Sequence, residues 1–194
     1  FDNNDRPGIL LSSAIEKYAN LFGVACGERN VLFTNNDSAY ETAISLFQKG
    51  INIEAIVDNR EEIDSKLIKE TEKNNIKVYK GYTVVDTSGY KRIDKVSIMQ
   101  LSKDGQKVIG SKTSIDCDCL GISGGWTPAV HLFTQSGGKL KFRDEDQVFI
   151  PNIYPSDQIS IGSCNGDFTL DEILLTVPKT LKEFLNLKKT DYDD

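Results

Sequence analysis

Histidine is almost missing from this chain: His131 is the only one among 194 residues. Imidazole metal centres and Ser-His-Asp or Cys-His catalysis need a histidine beside a partner, and no spacing here supplies one. His131 stands next to Leu132 and Phe133, which reads as a structural residue or a contact between domains. Cysteine is scarce too. Cys26, Cys117, Cys119 and Cys164 make no disulfide framework in a chain of this length, and no Cys-x-x-Cys redox pair occurs. Cys117 and Cys119 flank Asp118 in a strand-like stretch, where alternation puts both thiols on one face as small buried side chains. No metal site is expected. Free thiols fit a reducing, cytoplasmic compartment. No apolar run approaches the roughly 20 residues that cross a bilayer, and no signal peptide opens the chain. Basic residues are scattered, and the net charge is −6. That balance excludes a surface that tracks nucleic acid or an anionic membrane.

A hydrophobic share of 39% is enough for the core of one ordinary domain or of two small interleaved ones. Between residues 8 and 23, Leu11, Ala14, Ile15, Tyr18, Leu21 and Phe22 follow helical spacing, and Gly23 and Gly27 end the helix. A strand follows at 30–33, then a helix at about 38–49 and a second strand closing at Asp58. A second helix spans about 61–74, with Ile63, Leu67 and Ile68 on one side, and a third strand spans 76–87. This alternation predicts a parallel sheet with right-handed crossovers. From about 91 to 115, apolar and polar residues alternate around Asp104-Gly105, a hairpin signal. A buried strand then ends at Ser123-Gly124-Gly125. A strand at 139–142 follows, and then a helix from about 170 to 186 that Pro178 must start, kink or divide.

The turn after the first of these parallel strands, Thr34-Asn35-Asn36-Asp37-Ser38, has no glycine. A dinucleotide fingerprint places glycines here for the tight turn and for close approach to the pyrophosphate, with a third small residue for helix packing. Those positions are Thr34, Asn36 and Ala39, so only the third is kept, although Asn36 can take a left-handed conformation. Asp37 and Ser38 are good N-caps, and a carboxylate there competes with phosphate for the positive end of the helix. Asp58 closes the next strand about where a ribose-binding acid belongs, with Arg60 after it. Two readings stand: a Rossmann-like domain kept for structure with its site lost, or a residual nucleotide site using Thr34, Asn36, Asp58 and Arg60.

Asp116–Val130 reads as a buried strand, small residues and an aromatic-Thr-Pro turn, a chain crossing between domains. The whole resembles the nicotinamide-nucleotide domain of glutathione-reductase-like flavoproteins, which carry two dinucleotide-binding domains. More closely, "FDNNDRPGILLSSAIEKYANLFGV", "VLFTNNDSAYETA", "CLGISGGWTPAVHLFTQSGGKLKF" and "IGSCNG" resemble the alpha-subunit family of heterotetrameric sarcosine oxidases over nearly all residues. The resemblance implies an α/β fold. A Rossmann-like β-α-β-α-β domain with an antiparallel meander at 30–126 is inserted in an incomplete flavin-type domain made of 1–29 and 127–194. It implies that the chain is an internal segment of a longer subunit. An amino-terminal glycine-rich unit and a carboxy-terminal folate-handling domain would lie outside it, and a slice of this kind exposes apolar surface.

The resemblance also implies a parent activity. Sarcosine is oxidatively demethylated to glycine with oxygen as electron acceptor, and the one-carbon unit passes to tetrahydrofolate. It implies beta, gamma and delta partner subunits, NAD on the alpha subunit, and FAD and FMN elsewhere in the complex. Gly162 and Ser163 match the family's Gly-Asp pair, with serine in place of the acid that binds a cofactor hydroxyl. The backbone N–H groups of Arg6 to Gly8 face the parent's nucleotide. No catalytic residue is expected in this segment, which serves as scaffold and docking surface. Three alternatives remain: an NAD(P)H-dependent flavoprotein reductase domain, a subunit of a related amine, proline or opine dehydrogenase, and a non-catalytic interaction module.

Overall fold

The computed structural model describes residues 1–63, 66–155 and 157–190. The chain divides into two compact units, Phe1–Gly125 and Trp126–Asp194.

In the first unit, β2 (Asn30–Thr34) and β3 (Ile53–Asp58) are nearly continuous apolar runs, buried almost throughout. Such runs suit the interior of a parallel sheet covered on both faces. The sheet holds β1 (Ile9–Leu11), β8 (Cys119–Ser123), β2, β3 and β4 (Lys77–Lys80), in that order and all parallel. One face packs on α1 (Ser12–Phe22), α2 (Ser38–Gln48) and α3 (Lys66–Lys73) through Ile15, Ala19, Tyr40, Ala43, Leu46 and Ile68. The other face packs Val31, Val57 and Leu120 against Val84, Val96 and Ile98. Those last three belong to an antiparallel meander of β5 (Tyr82–Ser88), β6 (Lys95–Leu101) and β7 (Val108–Asp116). The expected hairpin sits between β6 and β7, where Gly105 adopts φ +67°.

Four expectations change. The helical pattern from residue 8 begins as a strand: Ile9, Leu10 and Leu11 pair with Leu120, Gly121 and Ile122 before α1 starts at Ser12. Spacing alone cannot separate three apolar residues of a strand from a helix turn. With β1 paired to β8, residues 1–29 share a compact unit with residues 30–125. The single strand expected at 76–87 is two strands in two sheets, because Gly81 turns the chain at φ +70°. The helix expected at 61–74 is seen at Lys66–Lys73, with Asp64 and Ser65 outside the described residues.

The fourth concerns the thiols. Cys117 packs in the meander-side cluster and Cys119 in the helix-side cluster. Cys117 precedes β8, and the Arg29 carbonyl accepts the N–H groups of both Asp118 and Cys119, so strand alternation does not begin until Cys119. Burial pushes both thiols up to about 12. A thiol so protonated is inert, because the thiolate is the nucleophile. Maleimide labelling near pH 7.5 is expected to modify Cys164 and Cys26, both half-buried, and to spare Cys117 and Cys119 until the chain is denatured. Intact-mass counting reads this directly, and early loss of all four thiols would contradict it.

The second unit contains α4 (His131–Gln135), a two-stranded antiparallel ribbon of β9 (Lys139–Arg143) and β10 (Val148–Ile153), a helical turn at Gly162–Asn165, and α5 (Leu170–Thr190). α5 runs through Pro178 without dividing. The proline leaves the Leu174 carbonyl without its usual intrahelical donor. Among the described residues no helix is long and apolar enough to cross a membrane.

Candidate functional site

From β2 the chain steps outward through β3 to β4, and β8 later returns to the other side of β2. The carboxyl ends of β2 and β8 therefore flank a topological switch point, where open α/β sheets bind ligands. Here the crevice is filled by the protein's own side chains. The Thr34 hydroxyl accepts the Asn36 N–H at 3.0 Å and donates to the Asn36 carbonyl at 2.9 Å, closing the turn without glycine. The Asn36 side-chain amide donates to the Ser123 carbonyl and to Ser123 Oγ, both at 3.1 Å. Its Oδ1 accepts the Ser38 N–H at 3.1 Å and the Ser38 hydroxyl at 2.6 Å. Asn35 donates to the Gly124 carbonyl at 3.4 Å.

Asn36 therefore caps α2 and laces β2 to β8. It does so without a left-handed backbone. Asp37, the expected cap, makes no side-chain cap bond. Its carboxylate lies 2.8 Å from Arg60 Nη2 instead, and that ion pair draws it off the helix end.

Asp58 ends β3 and is fully buried. Its Oδ1 accepts the Arg60 N–H at 2.9 Å and Nε at 3.1 Å. Its Oδ2 accepts Arg60 Nη2 at 2.8 Å and the Tyr40 hydroxyl at 3.0 Å. Burial and then the Asp58 charge hold the Tyr40 phenol far above its ordinary range. Burial works against the Arg60 charge, but the bonds to Asp58 and Asp37 outweigh it and raise its pKa. The carboxylate that could grip a ribose is engaged by Tyr40 and Arg60. Of the N–H groups that could cradle a phosphate, that of Ser38 meets Asn36 and that of Asn36 meets Thr34.

Thr34, Asn36, Asp58 and Arg60 thus come together, as a hydrogen-bonded plug. Arg6 and Gly8 do not join them. They precede β1 at the amino ends of the parallel strands, opposite the crevice. Arg6 donates to the Gly89 carbonyl, and the Gly8 carbonyl accepts the Leu120 N–H at 2.9 Å. In the second unit, Gly162 is buried at φ +67° and opens the helical turn, while the Ser163 side chain is exposed. The Gly162 carbonyl accepts the Asp167 N–H at 3.3 Å. Sequence reasoning misses Ser123 and Tyr40. Ser123 reads there only as a strand end, and Tyr40 carries a core pattern that hides its polar tip.

No family model matches the chain. The chain is 33% identical to the sarcosine oxidase subunit alpha of Corynebacterium sp. (strain P-1) over 91% of its residues, which is 18% of that protein. The corresponding subunit of Rhizobium meliloti (strain 1021) is 31% identical over 77% of this chain and 14% of its own length. Over this stretch the chain belongs to the sarcosine oxidase alpha-subunit family. It spans less than a fifth of the length of these curated alpha subunits. Among solved structures, the thioredoxin reductase of T. acidophilum shares the fold at a TM-score of 0.55 and 20% identity, over 83% of this chain and 54% of that one. The fold is the mixed α/β, Rossmann-type architecture of FAD/NAD(P)-binding oxidoreductases, with a parallel and an antiparallel sheet.

Proposed function

We propose that this segment is the dinucleotide-domain scaffold of a sarcosine oxidase-type alpha subunit, with its own nucleotide crevice closed. The observation that carries this is Asn36, whose side chain occupies the switch point and bonds to Ser123 and Ser38. A pyrophosphate does not fit there without displacing it, and Asp58 has no lone pair left facing the crevice for a ribose hydroxyl. No step of the chemistry is routed through this crevice.

In the same reading, residues 127–194 belong to a flavin-type domain. Gly162 and Ser163 lie on its cofactor side, and NAD is held by residues outside this segment. The whole complex, with beta, gamma and delta subunits and with FAD and FMN, oxidises the N-methyl amine of sarcosine. It reduces oxygen and hands the one-carbon unit to tetrahydrofolate. This rests on the alpha-subunit relatives, on the two-unit architecture and on the closed crevice. Calorimetric titration of the chain with NAD, NADH and NADPH is expected to give no binding up to millimolar concentration. Micromolar binding weakened by Asp58→Ala would falsify the scaffold reading and favour a hydride-delivering reductase domain.

A further inference from the structure

The end of the parallel sheet opposite the crevice carries an open cleft of about 380 Å³. Pockets for small ligands run from roughly 300 to 1,000 Å³. The cleft forms where the end of β7 approaches the amino ends of β2, β3 and β4, so all of its walls belong to the first unit. Its inner lining is Ala55, which is buried, with Ile115 and Tyr79, which are half-buried.

Two cations flank that lining. Arg29 stands just before β2 and Lys77 opens β4, one strand to either side of β3. Two strand spacings, roughly 10 Å, part them across the sheet. Lys77 is level with Ala55 in the register, and the short alanine side chain leaves the space between the cations open. Neither charge is paired with an acid among the described residues. The Arg29 guanidinium has no hydrogen-bond or ion-pair partner there. Lys77 Nζ has the Tyr79 ring, 4.4 Å from its centroid.

Two carboxylates complete the cleft, Glu54 and Asp116. Asn30 pairs with Ile53 and Val31 with Ala55, so Glu54 is the extra residue of a β-bulge, a device that re-aims side chains. One Glu54 oxygen accepts the Asn52 amide at 2.7 Å, and the other has no partner among the described residues. Asp116 ends β7 and lies 3.6 Å from Lys95 Nζ, an exposed and weak pair.

This pattern of charge selects the ligand. A simple anion gains from Arg29 and Lys77 but is repelled by Glu54 and Asp116. A simple cation meets the reverse. Only a molecule carrying both signs gains from both pairs, and the guanidinium fork matches a carboxylate.

We propose that the cleft is a binding site for a free α-amino acid with an apolar side chain. The ligand carboxylate meets Arg29 and Lys77, its ammonium meets Glu54, and its side chain lies against Ala55 and Ile115. The site stands apart from the closed crevice and does not depend on the chemistry of the whole complex.

Amide NMR titration of the full chain with L-leucine, 4-methylpentanoate and isoamylamine tests this. The last two are leucine without its ammonium and without its carboxylate. L-leucine is expected to shift the Ala55 and Ile115 amides saturably, with a Kd of about 1–5 mM. Each analogue should bind at least about tenfold more weakly. Arg29→Gln and Glu54→Gln should each weaken leucine about three- to tenfold. Neither side chain holds two elements together, so both variants should keep the parent's circular dichroism and melting curve. No saturable shift with leucine up to about 50 mM overturns the proposal. Equal binding of 4-methylpentanoate overturns it in favour of a plain anion site, and equal binding of isoamylamine in favour of a plain cation site. Leucine shifts that both substitutions leave unchanged mark a loose surface contact and overturn it as well.

Discussion

Asp58→Ala is expected to lower the melting temperature of the first unit by roughly 6–12 °C. Breaking a buried, hydrogen-bonded charge pair by removing one partner costs about 3–5 kcal/mol. Asp58 is wholly buried, but the Arg60 side chain is 33% exposed and can turn back to water. The lower end, about 3 kcal/mol, therefore applies, and about 2–4 °C per kcal/mol is usual for a chain of this size. The loss has two parts, the Tyr40 hydroxyl left without its acceptor and Arg60 left with only Asp37. Arg60→Ala should be similarly harmful, since it strands the buried carboxylate. The double variant should lose clearly less than the sum of the single losses, because the two residues act as a pair. Thermal denaturation followed by circular dichroism reads all three. A shift below about 2 °C for Asp58→Ala would mean that the plug contributes little to the fold.

Gly8→Ala is expected to cost about 2–5 kcal/mol. Gly8 sits at φ +99°, where an L side chain is strained by about 1–2 kcal/mol. A Cβ there would also lie 2.7 Å from Ile93 Cγ2 and 2.9 Å from the Asp118 carbonyl oxygen, so β1 would have to move off β8. Overpacking of that kind adds about 1–3 kcal/mol. Gly23→Ala makes the control. Its φ is +62°, but nothing lies within 4 Å of the new Cβ, so only about 1 kcal/mol should be lost. Urea denaturation of both variants separates strain from crowding. Equal losses would remove the close approach as the reason for glycine at position 8.

Different levels of the sequence carry different parts of this fold. The continuous apolar runs of β2 and β3, with the helical spacing of α2 between them, are legible because each is a local pattern with its own period. The same holds for Asp104-Gly105, where the turn residue itself demands the backbone. β1 is not legible, because three apolar residues look alike in a strand and in a helix turn, and only pairing with β8 more than 100 residues away decides between them. Gly81 is hidden inside an apolar stretch, since a glycine in a strand pattern turns the chain only if the two halves find different sheets.

The candidate site divides in the same way. That the turn at 34–38 lacks the glycines of a phosphate grip, and that Asp58 and Arg60 stand where a ribose site belongs, is written in the order of the residues. What those residues do instead depends on groups distant in the chain. Ser123 comes from β8 and Tyr40 from the buried face of α2. The sequence by itself determined the central elements β2, α2 and β3, the parallel alternation and the loss of the fingerprint, because these rest on local periodicity and on which side chains each turn tolerates. Only the tertiary structure decided that Asn36 fills the crevice, that Asp58 is satisfied from within, and that Cys117 and Cys119 face different cores. Each depends on a hydrogen bond or a packing contact that exists only once the strands are side by side.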